Sequence, residues 1–268
     1  MSRHPTSLQS LRPRAAPWAW AFAGALLGLV LATLVNAPAR WLTGALQQAS
    51  AGRVVFQDAR GTVWNGSARL TLSGGAGSTD AATLPGRLNW RLRPSGTRLQ
   101  SELRAECCMA QAWHLNLSPR WGGASLQLAD SRSQWPARAL AGLGTPWNTV
   151  QPEGQLTLST QGLAAEWAAG RVTLSGQLRL DALHMASRLS TVKPMGSYRL
   201  TVLGGAAPSL QLETLEGSLQ LIGTGQWIGS QFRFEGVASA APERLDALSN
   251  LLNIIGRRDG ARAIIKLG

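Results

Sequence analysis

The chain has 268 residues, of which 44% are hydrophobic and only 15% charged, with a formal net charge of +12. That length holds one moderate domain or two small ones around a buried core, and the composition excludes disorder driven by excess charge. The basic residues are spread along the chain rather than gathered in one helix or loop, which argues against nucleic acid as a partner.

All but two of the basic residues, Lys193 and Lys266, are arginine. Arg3, Arg12 and Arg14 come first, and no charged residue follows until Arg40. Pro17 to Ala37 is close to the roughly 20 apolar residues that a membrane-spanning helix needs, and Trp18 and Trp20 sit at its start, where indoles favour the headgroup region. Arginines before the run predict a cytoplasmic tail over 1–16, a transmembrane helix over 17–37 and a periplasmic remainder. A cleaved signal peptide would have a shorter apolar core and a small-x-small site. Val35-Asn36-Ala37 followed by Pro38 is a poor version of that site, so an uncleaved anchor in the inner membrane is expected.

Beyond Ser50 the pattern turns from continuous apolar to alternating. Leu88, Trp90 and Leu92 point one way while Arg87, Asn89, Arg91 and Arg93 point the other, the period of a half-buried strand. The same alternation recurs at Ala68/Leu70/Leu72, Trp113/Leu115/Leu117, Leu126/Leu128, Leu156/Leu158, Val172/Leu174, Leu178/Leu180, Tyr198/Leu200/Val202, Leu210/Leu212, Leu219/Leu221 and Phe232/Phe234. Turn signals such as Gly74-Gly75, Pro94-Ser95-Gly96, Gly122-Gly123 and Gly204-Gly205 separate the runs. Three segments break the period, led by Pro38, Pro136 and Pro242, and proline suits a first helical turn. Each predicts a short helix with an apolar face laid on a sheet; in the third, Leu248, Leu251, Leu252 and Ile255 form the stripe and Gly256 stops it.

The predicted fold class is therefore mainly β. Antiparallel sheet with short packing helices forms two similar sheet-plus-helix lobes, 38–145 and 146–268, preceded by one transmembrane helix. The lobes either stand apart or continue one sheet. Lobe 1 has 12 basic residues against 5 acidic ones from position 40 to 138, whereas 139–268 has 11 against 9. The basic excess fits solvated strand faces first, and an anionic lipid surface or acidic partner second.

Residues able to carry chemistry are few. His4 lies in the tail and His114 on the outward face of a strand. Asp181 and His184 are the one carboxylate–imidazole neighbourhood in the exported part, and the spacing suits a strand-end turn. No H-E-x-x-H, G-x-S-x-G or phosphate-binding glycine loop occurs, so no catalytic, metal or cofactor site is expected. Cys107 and Cys108 are the only cysteines, too few for a structural zinc site. An oxidising compartment permits a disulfide between these neighbours, which would need a tight turn; two separate thiols, or a bond to a partner protein, are the other readings. The eleven tryptophans are expected to serve mainly as core packing and sheet-edge covers, with a groove or a set of interface anchors as the functional alternative. Trp64 is expected to cap the first sheet's end beneath the helix that begins at Pro38 or Pro136.

The order of an N-terminal apolar run, Pro38-Ala39-Arg40-Trp41-Leu42 and then Gly61-Thr62-Val63-Trp64-Asn65-Gly66 resembles the type II secretion system protein N family. Leu84-Pro85-Gly86 with Trp90, Pro194-Met195-Gly196-Ser197-Tyr198 and Leu251-Leu252-Asn253-Ile254-Ile255-Gly256 fit the same pattern. The resemblance implies a non-enzymatic, single-pass inner-membrane component of the secretion machinery whose periplasmic domain binds other envelope proteins. It supplies no catalytic residue and no role for the cysteine pair. The alternative is a lipid-binding envelope protein similar to the AsmA-like group, whose curved sheets hold acyl chains in an apolar groove.

Overall fold

In a computed structural model the structure describes residues 18–229 and 231–268. Two compact units are present, divided between Ala37 and Pro38. The first contains α1, Trp18–Val35, eighteen residues without a charged or buried side chain. At 1.5 Å per residue it is about 27 Å long, close to the hydrocarbon thickness of a bilayer, and it is long and apolar enough to cross one. Arg3, His4, Arg12 and Arg14 lie outside the described residues.

In the second unit, α2 (Ala39–Ala49) is followed by β1 (Val54–Gly61), β2 (Asn65–Ser73), β3 (Ala81–Thr83), β4 (Leu88–Ser95), β5 (Arg98–Ala105), β6 (Trp113–Arg120), β7 (Gly123–Leu128) and β8 (Ser131–Pro136). A 3₁₀ segment over Ala137–Leu143 and the single turn α3 (Trp147–Val150) come next. The chain then forms β9 (Pro152–Ala168), β10 (Arg171–Ser187), β11 (Gly196–Gly205), β12 (Ser209–Gly217), β13 (Leu219–Ile228), β14 (Gln231–Ala240), α4 (Leu245–Ile255), β15 (Arg257–Asp259) and β16 (Arg262–Leu267).

Among the described residues all sixteen strands belong to one sheet, and every pairing is antiparallel. Its path is β1-β2-β4-β5-β6-β7-β9-β10-β11-β12-β13-β14-β16-β15, with β3 beside β2 and β8 beside β9. The strands on either side of residue 145 are joined because β9 is long enough for two neighbours on one edge. Its far half pairs with β7 (Gly123 with Ala168) and its near half with β8 (Pro136 with Gln155).

The three proline-led segments are helical, as their sequence implied. Pro38 and Pro136 immediately precede α2 and the 3₁₀ segment, and Pro242 begins the short 3₁₀ turn before α4. The middle one stays 3₁₀ because it is short and pressed to the sheet. A side chain on Gly142 would collide with the Leu72 carbonyl and with Ala82, and Gly144 ends the segment at a φ of +80°. α2 lies against β1, and α4 against β14, β15 and β16. The largest core cluster is under α4. Leu248, Leu251 and Leu252 are fully buried there with Leu219, Ala238 and Ala263, and Tyr198 and Met195 close its side.

Val172/Leu174 and Leu178/Leu180, two separate runs in the sequence, are one seventeen-residue strand, β10. A bulge at Gly176 (φ +82°) joins them, and the Gly162 carbonyl on the neighbouring strand occupies the space that a side chain would need. Glycines elsewhere on the sheet lie under aromatic rings. Phe234 covers Gly223 and Phe232 covers Gly225, and Trp227 packs on Phe232 at a tilt of 42° with ring centres 4.4 Å apart. Rings laid over glycines restore the packing that the missing side chains lose.

Candidate functional site

The hexapeptide Gly61 to Gly66 is the turn between β1 and β2. Gly61 has a φ of +84°, and its neighbour Thr62 donates its N–H to the Asn65 carbonyl at 2.9 Å. Asn65 N–H returns a bond to Thr62 Oγ1 at 3.1 Å, which closes the turn. The carbonyls of the turn then face β4. Trp90 Nε1–H donates to Val63 O at 3.0 Å and to Thr62 O at 3.3 Å, and Leu92 N–H donates to Trp64 O at 2.7 Å.

Gly66 sits directly against the Trp90 ring: a Cβ there would be 2.5 Å from Cζ2 and 2.7 Å from the Arg60 carbonyl. Trp90 is 4% exposed and packs with Ala39 of α2 and Ala68. Trp64 itself is only half-buried, and the buried indole packed against Ala39 of α2 is that of Trp90. The alternation Leu88/Trp90/Leu92 carried that signal, but the partner of Trp90 depends on the β2–β4 register, Gly66 opposite Trp90. In the structure the motif is a cradle for one tryptophan.

Next to it, Asp58 adopts a φ of +52° at a bulge in β1, and Arg87 reaches across to its carboxylate at 2.7 Å and to Ser67 Oγ at 3.0 Å. The Arg87 guanidinium, and after it that of Arg60, holds the Asp58 carboxyl below the ordinary aspartate range. Its folded value is the lower one, so the pair helps stability above the unfolded value and loses that help as pH falls through the folded one.

Cys107 and Cys108 occupy the turn after β5 and are joined Sγ to Sγ in the structure. The turn is closed by Met109 N–H on Ala105 O at 2.9 Å and tied to β8 by Gln134 N–H on Cys108 O at 2.7 Å. Cys108 and Met109 are buried against Leu84, Ala105 and Ala139, whereas Cys107 is exposed. Trp113 and Trp135 pack against this cluster edge to face, with ring centres 6.4 Å apart. Beside the turn an open cleft is lined by Glu106, Cys107, Arg132 and Gln134.

Asp181 and His184 are not brought together, and neither is at a strand end; both lie inside β10. Asp181 receives two bonds from Arg199 of β11, at 2.7 and 3.1 Å, and Arg199 is raised above its ordinary value by that carboxylate. His184 is exposed, at a bulge with a φ of +51°, and its backbone N–H donates to Ser197 Oγ. His114 is exposed on the outer face opposite Glu102. Among the described residues no group of three or more His, Cys, Asp or Glu is placed to hold a metal ion.

Fold and site together define a class: a protein built on one open antiparallel sheet, preceded by one apolar helix, in which the recurrent glycine, proline and tryptophan motifs hold the backbone in register. A family model described as type II secretion system (T2SS), protein N, matches residues 52–265. The chain belongs to that family, and the family implies a role in type II secretion. Neither a curated protein nor a solved structure matches the chain.

Proposed function

We propose that the protein is a non-enzymatic, single-pass inner-membrane component of the type II secretion machinery. Its tail is cytoplasmic, α1 crosses the membrane, and the β-domain binds other envelope components in the periplasm. The observation that carries the binding role is the open sheet. Among the described residues β1 pairs only with β2, and Ile265, Lys266 and Leu267 at the end of β16 pair only with β14. Unpaired edge N–H and C=O groups are a template for a strand of another chain. We further propose that lobes 38–145 and 146–268 are halves of one sheet that unfolds as a unit.

The topology follows from arginines placed before an uncharged run. A reporter that is active only in the periplasm, fused after Gly268, is expected to be active, and the mature chain is expected to keep its N-terminus. A mature protein beginning at Pro38 would overturn the anchor.

The non-enzymatic reading is tested where the sequence comes nearest to an acid–base pair. A general base contributes about 10²–10⁴-fold in rate, so its loss would abolish function in a folded protein. Here Asp181 is engaged by Arg199, and His184 makes its bond through the backbone. Asp181→Asn and His184→Gln, together, are expected to leave secretion within a few-fold of the parent at equal protein level. A near-null phenotype in an abundant, folded variant would mark the pair as catalytic.

A further inference from the structure

The pairing registers bring several loops distant in sequence to one end of the sheet. Pro38 bridges Thr62 in the β1–β2 turn, and Leu92 lies beside Trp64. From Leu92 β4 continues to the β4–β5 turn, where Ser95 pairs with Arg98. Leu99 then pairs with Leu117, Arg120 with Gly123 across the β6–β7 turn, Gly123 with Ala168, and Ala168 with Arg171 across the β9–β10 turn. Every one of these hairpin tips is therefore at the end where the chain enters the domain.

The side chains gathered there share one chemistry. Trp121 is fully exposed at the β6–β7 tip. Trp167 and Val172 are a cross-strand pair beside it, 42% and 59% exposed. They lie two residues beyond the Leu126–Ala165–Leu174 row, on the face that elsewhere forms the core. Arg93, Arg98 and Arg171 are exposed on the same turns and make no ion pair or hydrogen bond with a described residue. The one acid in these stretches, Glu166, is paired with Arg120 at 3.6 Å. Trp41, 52% exposed on the first turn of α2, adds another indole three residues after Pro38.

Exposed tryptophans interleaved with arginines suit a membrane–water interface, where the indole sits at headgroup depth and the guanidinium reaches phosphate. The chain path decides for the bilayer. Pro38 is three residues beyond Val35, the last residue of α1. Only Asn36 and Ala37 separate the two in the chain, so a helix that spans the bilayer delivers the chain to the β-domain at the membrane surface.

We propose that this rim, Trp121, Trp167 and Val172 with Arg93, Arg98 and Arg171, seats on the phospholipid headgroups of the leaflet through which the chain enters the β-domain. The proposal rests on α1 spanning the membrane. A seated rim holds the sheet in one orientation, so that its edges are presented laterally to other envelope components.

The test uses the full-length protein in vesicles of phosphatidylcholine with and without phosphatidylglycerol. A single thiol is added by Ala169→Cys at the β9–β10 tip, or by Thr191→Cys after β10 at the opposite end; both positions are exposed. Each is labelled with a fluorophore and quenched by nitroxide-bearing lipids. Quenching several-fold stronger at 169 than at 191 is expected, increased by phosphatidylglycerol and reduced by Trp121→Ser with Arg93→Gln, Arg98→Gln and Arg171→Gln. Equal, weak quenching at both positions, in protein that still resists alkaline extraction from the vesicles, overturns the seated rim and leaves the anchor standing. Release by alkaline extraction overturns the anchor, and the rim with it. Strong quenching at 169 that ignores lipid charge and the arginine changes overturns the phosphate contacts.

Discussion

Replacing Trp90 by alanine is expected to lower the unfolding free energy of the β-domain by about 3–5 kcal/mol, the usual cost of removing a large aromatic from a core. The position concentrates several losses. The ring is almost wholly buried beside Ala39 and Ala68, Gly66 is shaped to it, and its Nε1–H bonds two turn carbonyls. Small neighbours cannot expand into the cavity, so little of it collapses. Because a domain's whole stability is only about 5–15 kcal/mol, the variant should be scarce in cells and secretion should fall in proportion. Equilibrium denaturation followed by far-ultraviolet circular dichroism measures the change. A loss below about 1 kcal/mol would fit a surface side chain and would contradict the cradle described for Gly61–Gly66. Trp64→Ala, at the half-buried ring, is expected to cost less than Trp90→Ala in the same measurement.

The second large effect lies at the other end of the chain. Leu252 is fully buried under α4, in a cluster with Leu219, Ala238 and Ala263. Leu252→Ala is expected to cost about 2–5 kcal/mol. Its value lies in comparison with Trp90→Ala, since the two residues sit in different clusters and in different proposed lobes. If the lobes are one cooperative sheet, each variant shifts a single shared transition, and the double variant shifts it by the sum, as expected for distant sites. If each variant instead moves one of two separate transitions, the lobes are independent domains that merely touch.

How much of this was legible in the sequence depends on whether a feature is local. Alternation at Leu88/Trp90/Leu92, Trp113/Leu115/Leu117 or Leu210/Leu212 is a period-two signal that needs no partner, and these strands are where the pattern placed them. The proline-led helices are local as well. β1 was not legible, because Val54-Val55-Phe56 is continuously apolar and Asp58 breaks the period with its bulge. Nor was β5, where Ser101 stands between Leu99 and Leu103 and weakens the alternation. β10 read as two strands because a bulge at Gly176 resets the period.

Features that depend on register could not be read at all. Trp64 and Trp90 both carry indoles near the same turn, and only the pairing of Gly66 with Trp90 decides which is buried. The gathering of Trp121 with Trp167 needs β7 to pair with β9 past β8, a step that no local pattern announces. Asp181 beside His184 in sequence suggested a pair. In the strand the Asp181 carboxylate is engaged across the sheet by Arg199, while His184 sits at a bulge.

The central claim is that this β-domain works by contact with other parts of the secretion machinery. Its most direct test is a photo-crosslinking residue at Lys266, on the strand edge that β15 leaves uncovered. Activated in secreting cells, it is expected to form a covalent adduct with another envelope component of the type II machinery, lost when that component is deleted. Adducts absent from this edge while secretion proceeds at the parental rate would contradict the claim.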